Sequence, residues 1–182
     1  MPMSTDSPWT TLSSREIYAN PWMSVREDQV IRPDGNPGIY GVVSTRVAAG
    51  VVAIDDSGAV VLVGQYRYPT EQYSWEIIAG GGPSGDDPEV IARRELQEEA
   101  GLEAATLRPL GGPMQLSNCI SSEIGHLFLA TDLSATASSP DPTEVLELRT
   151  VPLQAAVRMV EAGEITDAFS VMGLLLAGRL VD

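Results

Sequence analysis

Apolar and polar residues alternate along residues 14–18 and 22–30, the two-residue period of half-buried strands. The run Arg32-Pro33-Asp34-Gly35-Asn36-Pro37-Gly38 is dense in turn formers, and residues 39–43 follow as the second arm of a hairpin. Residues 49–54 and 59–65 are β-branched runs on either side of Asp55-Asp56-Ser57-Gly58, a second hairpin signal. The period then changes. Ala92, Leu96 and Ala100 fall four apart, which predicts a helix with an apolar stripe. Asp87 can cap it, Pro88 suits its first position and Gly101 suits the residue after its end. Residues 107–111 and 124–130 read as strands, and residues 132–143 as a linker rich in Ser, Pro and Asp. Residues 144–148 read as a strand with alternating acids, where Glu144 faces solvent or supports other acids. Residues 152–162 read as a helix opened by Pro152 and stopped by Gly163. Residues 166–180 read as a very apolar helix whose Val171, Leu174, Leu175 and Leu176 are expected to pack on the sheet or on a partner chain. Strands and helices mixed in this order predict an α+β fold with a central mixed sheet, and 182 residues suffice for a real core.

Composition narrows the function. The formal net charge is −14, and all 11 basic residues are arginines. That balance argues against non-specific nucleic-acid binding and against anionic membrane surfaces. Arginine remains well suited to bidentate phosphate contacts. No apolar run is long enough to cross a bilayer, the first residues lack a signal pattern, and Cys119 is the only cysteine, all consistent with a cytoplasmic location.

The predicted helix concentrates charge. Glu95 lies one turn from both Glu98 and Glu99, and Arg94 lies four residues before Glu98. Like charges this close are costly unless a cation sits among them. A hard divalent ion such as magnesium takes oxygen ligands and is commonly held by a few carboxylates together with substrate phosphates. Gly80, Gly81, Gly82 and Gly85 precede the helix and predict a loop that brings bare backbone, notably at Gly80 and Gly81, close to a ligand. Loop and acidic helix together read as a site for a metal-bound phosphate compound. A purely solvated acidic face is the alternative.

These residues resemble the Nudix box, G-x5-E-x7-R-E-U-x-E-E-x-G-U with U aliphatic. Gly80, Arg94, Glu95, Leu96, Glu98, Glu99, Gly101 and Leu102 match in register, and Asp86 stands at the first Glu position. The resemblance implies the Nudix α/β/α sandwich and divalent-metal-dependent hydrolysis of a diphosphate linkage. It implies magnesium, with manganese as an alternative, held by Glu95, Glu98, Glu99 and the Ala79 carbonyl. Gln65-Tyr66-Arg67 and Trp75-Glu76-Ile77-Ile78-Ala79-Gly80 resemble segments of the nucleoside-diphosphate-sugar branch of that family, with Ile78 in place of a proline. By that likeness Arg67 is a phosphate or ribose contact and Glu76 a substrate-side carboxylate.

Residues 114–123 form a polar loop similar to one whose glutamate activates water in relatives. Glu123 matches that glutamate and is the first candidate for base, with Glu98 second and Arg94 orienting the acids. Asn118 and Cys119 depart from the proline and glycine usual there. A Cys119–His126 nucleophile is the weaker reading, since the only histidine lies in the following strand. Residues 1–43 resemble the N-terminal strand region of nucleoside-diphosphate-sugar hydrolases and are expected to serve a homodimer, leaving residues 44–182 as the hydrolase domain. The expected substrate is a nucleotide sugar, ADP-ribose or similar. GDP-mannose, a nucleoside triphosphate, or binding without hydrolysis remain open at this point.

Overall fold

In the computed structural model, which describes residues 6–83, 85–139, 143 and 145–180, the chain divides into two compact units. One takes in the chain up to Arg46 together with Ser117–Glu123. The other comprises Val47–Leu116 and the chain from Ile124 onward.

The first unit is an antiparallel meander of β1 (Thr10–Ala19), β2 (Met23–Ile31) and β3 (Pro37–Thr45), in that order. Its turns are built by side chains that mimic backbone acceptors. Asn20 Oδ1 accepts the amides of Trp22 and Met23 at 2.8 and 2.9 Å, and Asp34 Oδ1 accepts that of Asn36 at 3.0 Å. Gly35 takes a left-handed φ of 80° in the second turn. Every residue of β1 is exposed. The Ser117–Glu123 segment pairs with β3: Val43 N–H donates to Ile120 O at 2.9 Å, Ser122 N–H donates to Val43 O at 3.0 Å, and Tyr40 Oη donates to Cys119 O at 2.8 Å.

The second unit holds β4 (Val47–Ala53), β5 (Ala59–Arg67), β6 (Gln72–Glu76), β7 (Ile78–Gly82), α1 (Pro88–Ala100) and β8 (Leu102–Pro109). The short β9 (Met114–Gln115), β10 (Ile124–Ala135), β11 (Glu147–Pro152), α2 (Leu153–Glu161) and α3 (Ala168–Gly178) complete it. One sheet runs β7-β4-β10-β8, with β9 also on β10; β4 and β10 are parallel and the other pairs antiparallel. A second sheet runs β11-β5-β6. Alternation along β4 sends Ala49, Val51 and Ala53 to one face, against Ile91, Ala92 and Leu96 of α1. Val52 and Ile54 go to the other, against Phe169 and Leu174 of α3 and Leu153, Ala156 and Met159 of α2. The sheets are thus the middle of an α/β/α arrangement. Each fully buried leucine or isoleucine on these faces contributes on the order of 2–3 kcal/mol.

Several expectations change. The Asp55-Asp56-Ser57-Gly58 turn forms as its chemistry dictates, with Asp55 Oδ1 accepting from Ser57 N–H at 2.9 Å and Ala59 N–H at 3.0 Å and with Gly58 at φ 79°. It does not close a two-stranded ladder. β4 and β5 belong to different sheets and share only the Ile54–Val60 bridge. Gly80, Gly81 and Gly82 are not a loop: they are strand β7, paired with Ala49, Ala48 and Val47 of β4. β8 starts directly at Leu102, because left-handed Gly101 (φ 62°) turns the chain out of α1 straight into it. β10 consequently runs on to Ala135, pairing with Leu102, where a linker was expected. β11 starts at Glu147, and Glu144 lies outside the described residues. Leu175 is exposed, whereas Leu174 is fully buried.

Candidate functional site

α1 is delimited by local chemistry. Asp87 Oδ1 accepts from Glu89 N–H at 2.9 Å, Pro88 occupies the first position, and the Gly101 amide donates back to Gln97 O. One edge of this helix turns its carboxylates inward over β7. Glu95 and Glu99 are only 9% and 7% exposed, a costly position for charges unless they are bonded. Glu95 Oε1 accepts from Arg94 Nη2 at 2.6 Å, and Glu99 Oε2 accepts from Ala79 N–H at 3.3 Å. Arg94 Nη2 also donates to Gly81 O at 3.1 Å, and its Nε lies 3.4 Å from Glu98 Oε2. Arg94 therefore links strand β7 to two glutamates. Its guanidinium is held in the charged form first by the Glu95 hydrogen bond and then by the charges of Glu95, Glu98 and Asp86.

The glycines of β7 serve this helix. A Cβ on Gly80 would lie 2.2 Å from Glu95 Cδ, and one on Gly82 would lie 2.5 Å from Ile91 Cδ1. Gly80 is therefore the floor on which the Glu95 carboxylate rests, and the Gly81 carbonyl is engaged by Arg94. This gives both glycines a defined task in the strand where a ligand-facing loop was predicted.

Among the described residues no three acidic, histidine or cysteine side chains gather closely enough to hold a metal ion by themselves. Glu98 is drawn to Arg94, and Glu99 to the Ala79 amide. The donor chemistry nonetheless fits a hard divalent cation. Three carboxylates line one edge of the helix, two of them buried, and all the donors are oxygen.

Arg67, at the end of β5, pairs with Glu76 at the end of β6 through two bonds from one edge of its guanidinium. Nε donates to Oε1 at 2.9 Å and Nη2 bonds Oε2. Glu76 is buried and Arg67 half-exposed. The charged form of Arg67 is favoured first by this bond, then by the charges of Glu76, Asp167 and Glu99. Both residues border a cavity of about 410 Å³ that is also lined by Gly163, Glu164, Thr166 and Asp167. Trp75 packs half-buried beneath Arg149, whose guanidinium carbon lies 5.5 Å from its ring centroid. Glu123 belongs to the first unit, where its amide donates to Ser121 Oγ at 3.1 Å; burial pushes its carboxyl above the ordinary range. Cys119 is exposed in the same segment, and His126 is half-buried in β10.

Sequence reasoning missed Asp167 and Ser170. Asp167 caps α3, its Oδ2 accepting from Ser170 N–H at 2.8 Å and Ser170 Oγ at 2.7 Å. Ser170 Oγ in turn accepts from Ile77 N–H. The Asp-x-x-Ser spacing signals a cap; nothing local signals a partner ninety-three residues away.

Residues 9–43 match the family model described as nucleoside diphosphate sugar hydrolase N-terminal domain, and residues 44–169 match that of the NUDIX domain. The ADP-ribose pyrophosphatase of Bacillus subtilis is 32% identical over 160 residues, 87% of this chain and 86% of its own. That of Mycobacterium tuberculosis is 32% identical over 168 residues, 91% of this chain and 81% of its own. A methanol dehydrogenase activator of Bacillus methanolicus is 31% identical over 166 residues, 90% of this chain and 89% of its own. The crystal structure of an ADP compounds hydrolase superposes with a TM-score of 0.86 at 23% identity, covering 98% of this chain and 97% of its own, a likeness of fold.

Proposed function

The chain belongs to the Nudix family, and on that premise we propose that it hydrolyses the diphosphate bond of a nucleoside diphosphate sugar, ADP-ribose or a close analogue, to a nucleoside monophosphate and a sugar phosphate. The observation that carries this reading is the pair of buried carboxylates, Glu95 and Glu99, seated over Gly80 and Ala79 and tied to the strand by Arg94 and the Ala79 amide.

A diphosphate persists in water because its negative charges repel nucleophiles. A bound divalent cation, magnesium in this reading with manganese as a substitute, neutralises phosphate oxygens and acidifies water. Glu95, Glu98 and Glu99, with the Ala79 carbonyl, are the residues that would hold it. Arg94 sets the direction of Glu95 and Glu98 from its anchor on Gly81 O. Glu123 is the first candidate to take the proton from the attacking water, and burial, by raising its pKa, makes its ionised form the stronger base; Glu98 is the second. Glu76 holds the planar Arg67 fork, and Arg67 meets a phosphate.

The homodimer and cytoplasmic setting belong to the same proposal. Strand β1 presents Leu12, Ile17 and Tyr18 at 61%, 50% and 54% exposure, a surface suited to a second copy. Light scattering on the purified protein tests the dimer. No helix among the described residues is long and apolar enough to cross a membrane.

The deciding experiment is magnesium-dependent turnover of ADP-ribose resolved by ion-exchange chromatography, with Glu99→Gln alongside. Release of AMP by the native chain, stopped by a chelator and by the substitution, is the expected result. Intact ADP-ribose and intact related nucleotide sugars would overturn the proposal.

A further inference from the structure

The cavity beside Arg67 lies between the β5–β6 hairpin and the turn joining α2 to α3, within the second unit. Its volume of about 410 Å³ is in the usual range for small-molecule sites, roughly 300–1,000 Å³. Gln72, Arg67 and Glu76 contribute from the hairpin, and Glu164, Thr166 and Asp167 from the turn. Three carboxylates and one guanidinium therefore line the cavity, and Glu76 already holds the Nε–Nη2 edge of that guanidinium through both its oxygens.

Such walls repel a second phosphate and favour a neutral ligand rich in hydroxyl donors. An ionised carboxylate accepts through two oxygens and binds a hydroxyl more strongly than a neutral acceptor does. Asp167 is suited to this, because the bonds from Ser170 both fall on its Oδ2. Glu164 is exposed at the rim, and its amide is fixed to Met159 O at 2.8 Å. The charges of Asp167 at the cavity and of Glu99 on α1 both favour the charged form of Arg67.

We propose that this cavity receives the hydroxyl-bearing sugar end of the substrate, with Glu164 and Asp167 accepting from its hydroxyls and Thr166 completing the rim. The proposal rests on the reading of the chain as a nucleoside diphosphate sugar hydrolase and adds where the sugar is recognised. It makes the α2–α3 turn, outside the Nudix box, a determinant of specificity.

The test compares kcat/KM for ADP-ribose with that for the β-methyl ester of ADP, whose terminal group carries no hydroxyl, in the native chain and in Glu164→Gln and Thr166→Val. Both positions are exposed, so the variants should melt like the native protein. The native chain is expected to prefer ADP-ribose, and Glu164→Gln to shrink the ratio about tenfold, mainly through KM, as loss of a charged hydrogen-bond acceptor implies. A ratio near one in the native chain, or one that neither variant moves, overturns the inference while leaving the hydrolase reading in place. A native chain inert toward both compounds overturns both.

Discussion

Ser170 Oγ accepts the amide of Ile77 at 2.9 Å from a position wholly closed to solvent. Ile77 is the single residue between β6 and β7, where the chain leaves one sheet for the other. Glu76 precedes it and Ala79 follows two residues later, so the bond fixes the backbone between the Arg67 pair and the Glu99 contact. Ser170→Ala removes the acceptor and leaves a buried amide unmatched. The expected loss is about 1–3 kcal/mol, read as a lower denaturation midpoint with an unchanged denaturant slope.

Gly80→Ala and Gly82→Ala are expected to fail differently. At Gly80 the new methyl meets the movable end of Glu95, so the carboxylate shifts and the fold survives. Turnover should fall on the order of 100-fold with little change in melting temperature. At Gly82 the methyl meets Ile91 in the core, and a loss of about 1–3 kcal/mol in stability is expected, by thermal or chemical denaturation.

Glu99→Gln keeps an oxygen that can accept the Ala79 amide while discharging a buried carboxylate. Turnover should drop by roughly 10²–10³-fold, since one of the carboxylates proposed to hold the divalent cation loses its charge. Stability should hold or rise, because the neutral amide has no buried charge to desolvate. Parallel melting curves and initial rates check both halves.

Burial raises the pKa of Glu123 above the ordinary value of a glutamate. A base works only when ionised. Activity limited by this group therefore rises with pH through the raised value and is lost on acidification sooner than an ordinary carboxylate would allow. The acid limb of kcat/KM against pH should disappear in Glu123→Gln, which retains a low, flat rate. An unchanged limb in that variant would move the role to Glu98.

Arg67→Lys should behave as a disruptive change. A lysine cannot reproduce the bidentate grip on Glu76, and a buried carboxylate loses half its bonds. KM for the diphosphate substrate is expected to rise at least tenfold, measured by steady-state kinetics.

Much of α1 was legible because its signals are local. Asp87, Pro88 and Gly101 act within four residues of the helix ends, and the structure uses each as its chemistry predicts. The acidic edge was equally legible as a motif. What Gly80 does was not, because the atom that needs its missing side chain belongs to Glu95, fifteen positions on and one layer away. The Asp55–Gly58 turn misled for a related reason: its hydrogen bonds are those of a hairpin, while the destination of the strands is set by packing on α1 and α3. The end of β10 escaped notice because Thr131, Asp132 and Ser134 have linker composition, and only pairing with β8 makes them a strand. Asp167 and Ser170 carry no family motif, and their partner Ile77 is remote.

The segment Ser117–Glu123 is encoded inside the catalytic half of the gene but is clamped by hydrogen bonds to Val43 and Tyr40 of β3. The amino-terminal strands are thus no removable appendage. Excising them would strip Ile120, Ser122 and Cys119 of their hydrogen-bond partners Val43 and Tyr40 and release the stretch that bears Glu123. On the proposed role of Glu123, a shortened chain would lose rate for a reason unrelated to the proposed pairing with a second copy. The two effects separate if β1 alone is blunted with charged substitutions while β3 is left whole.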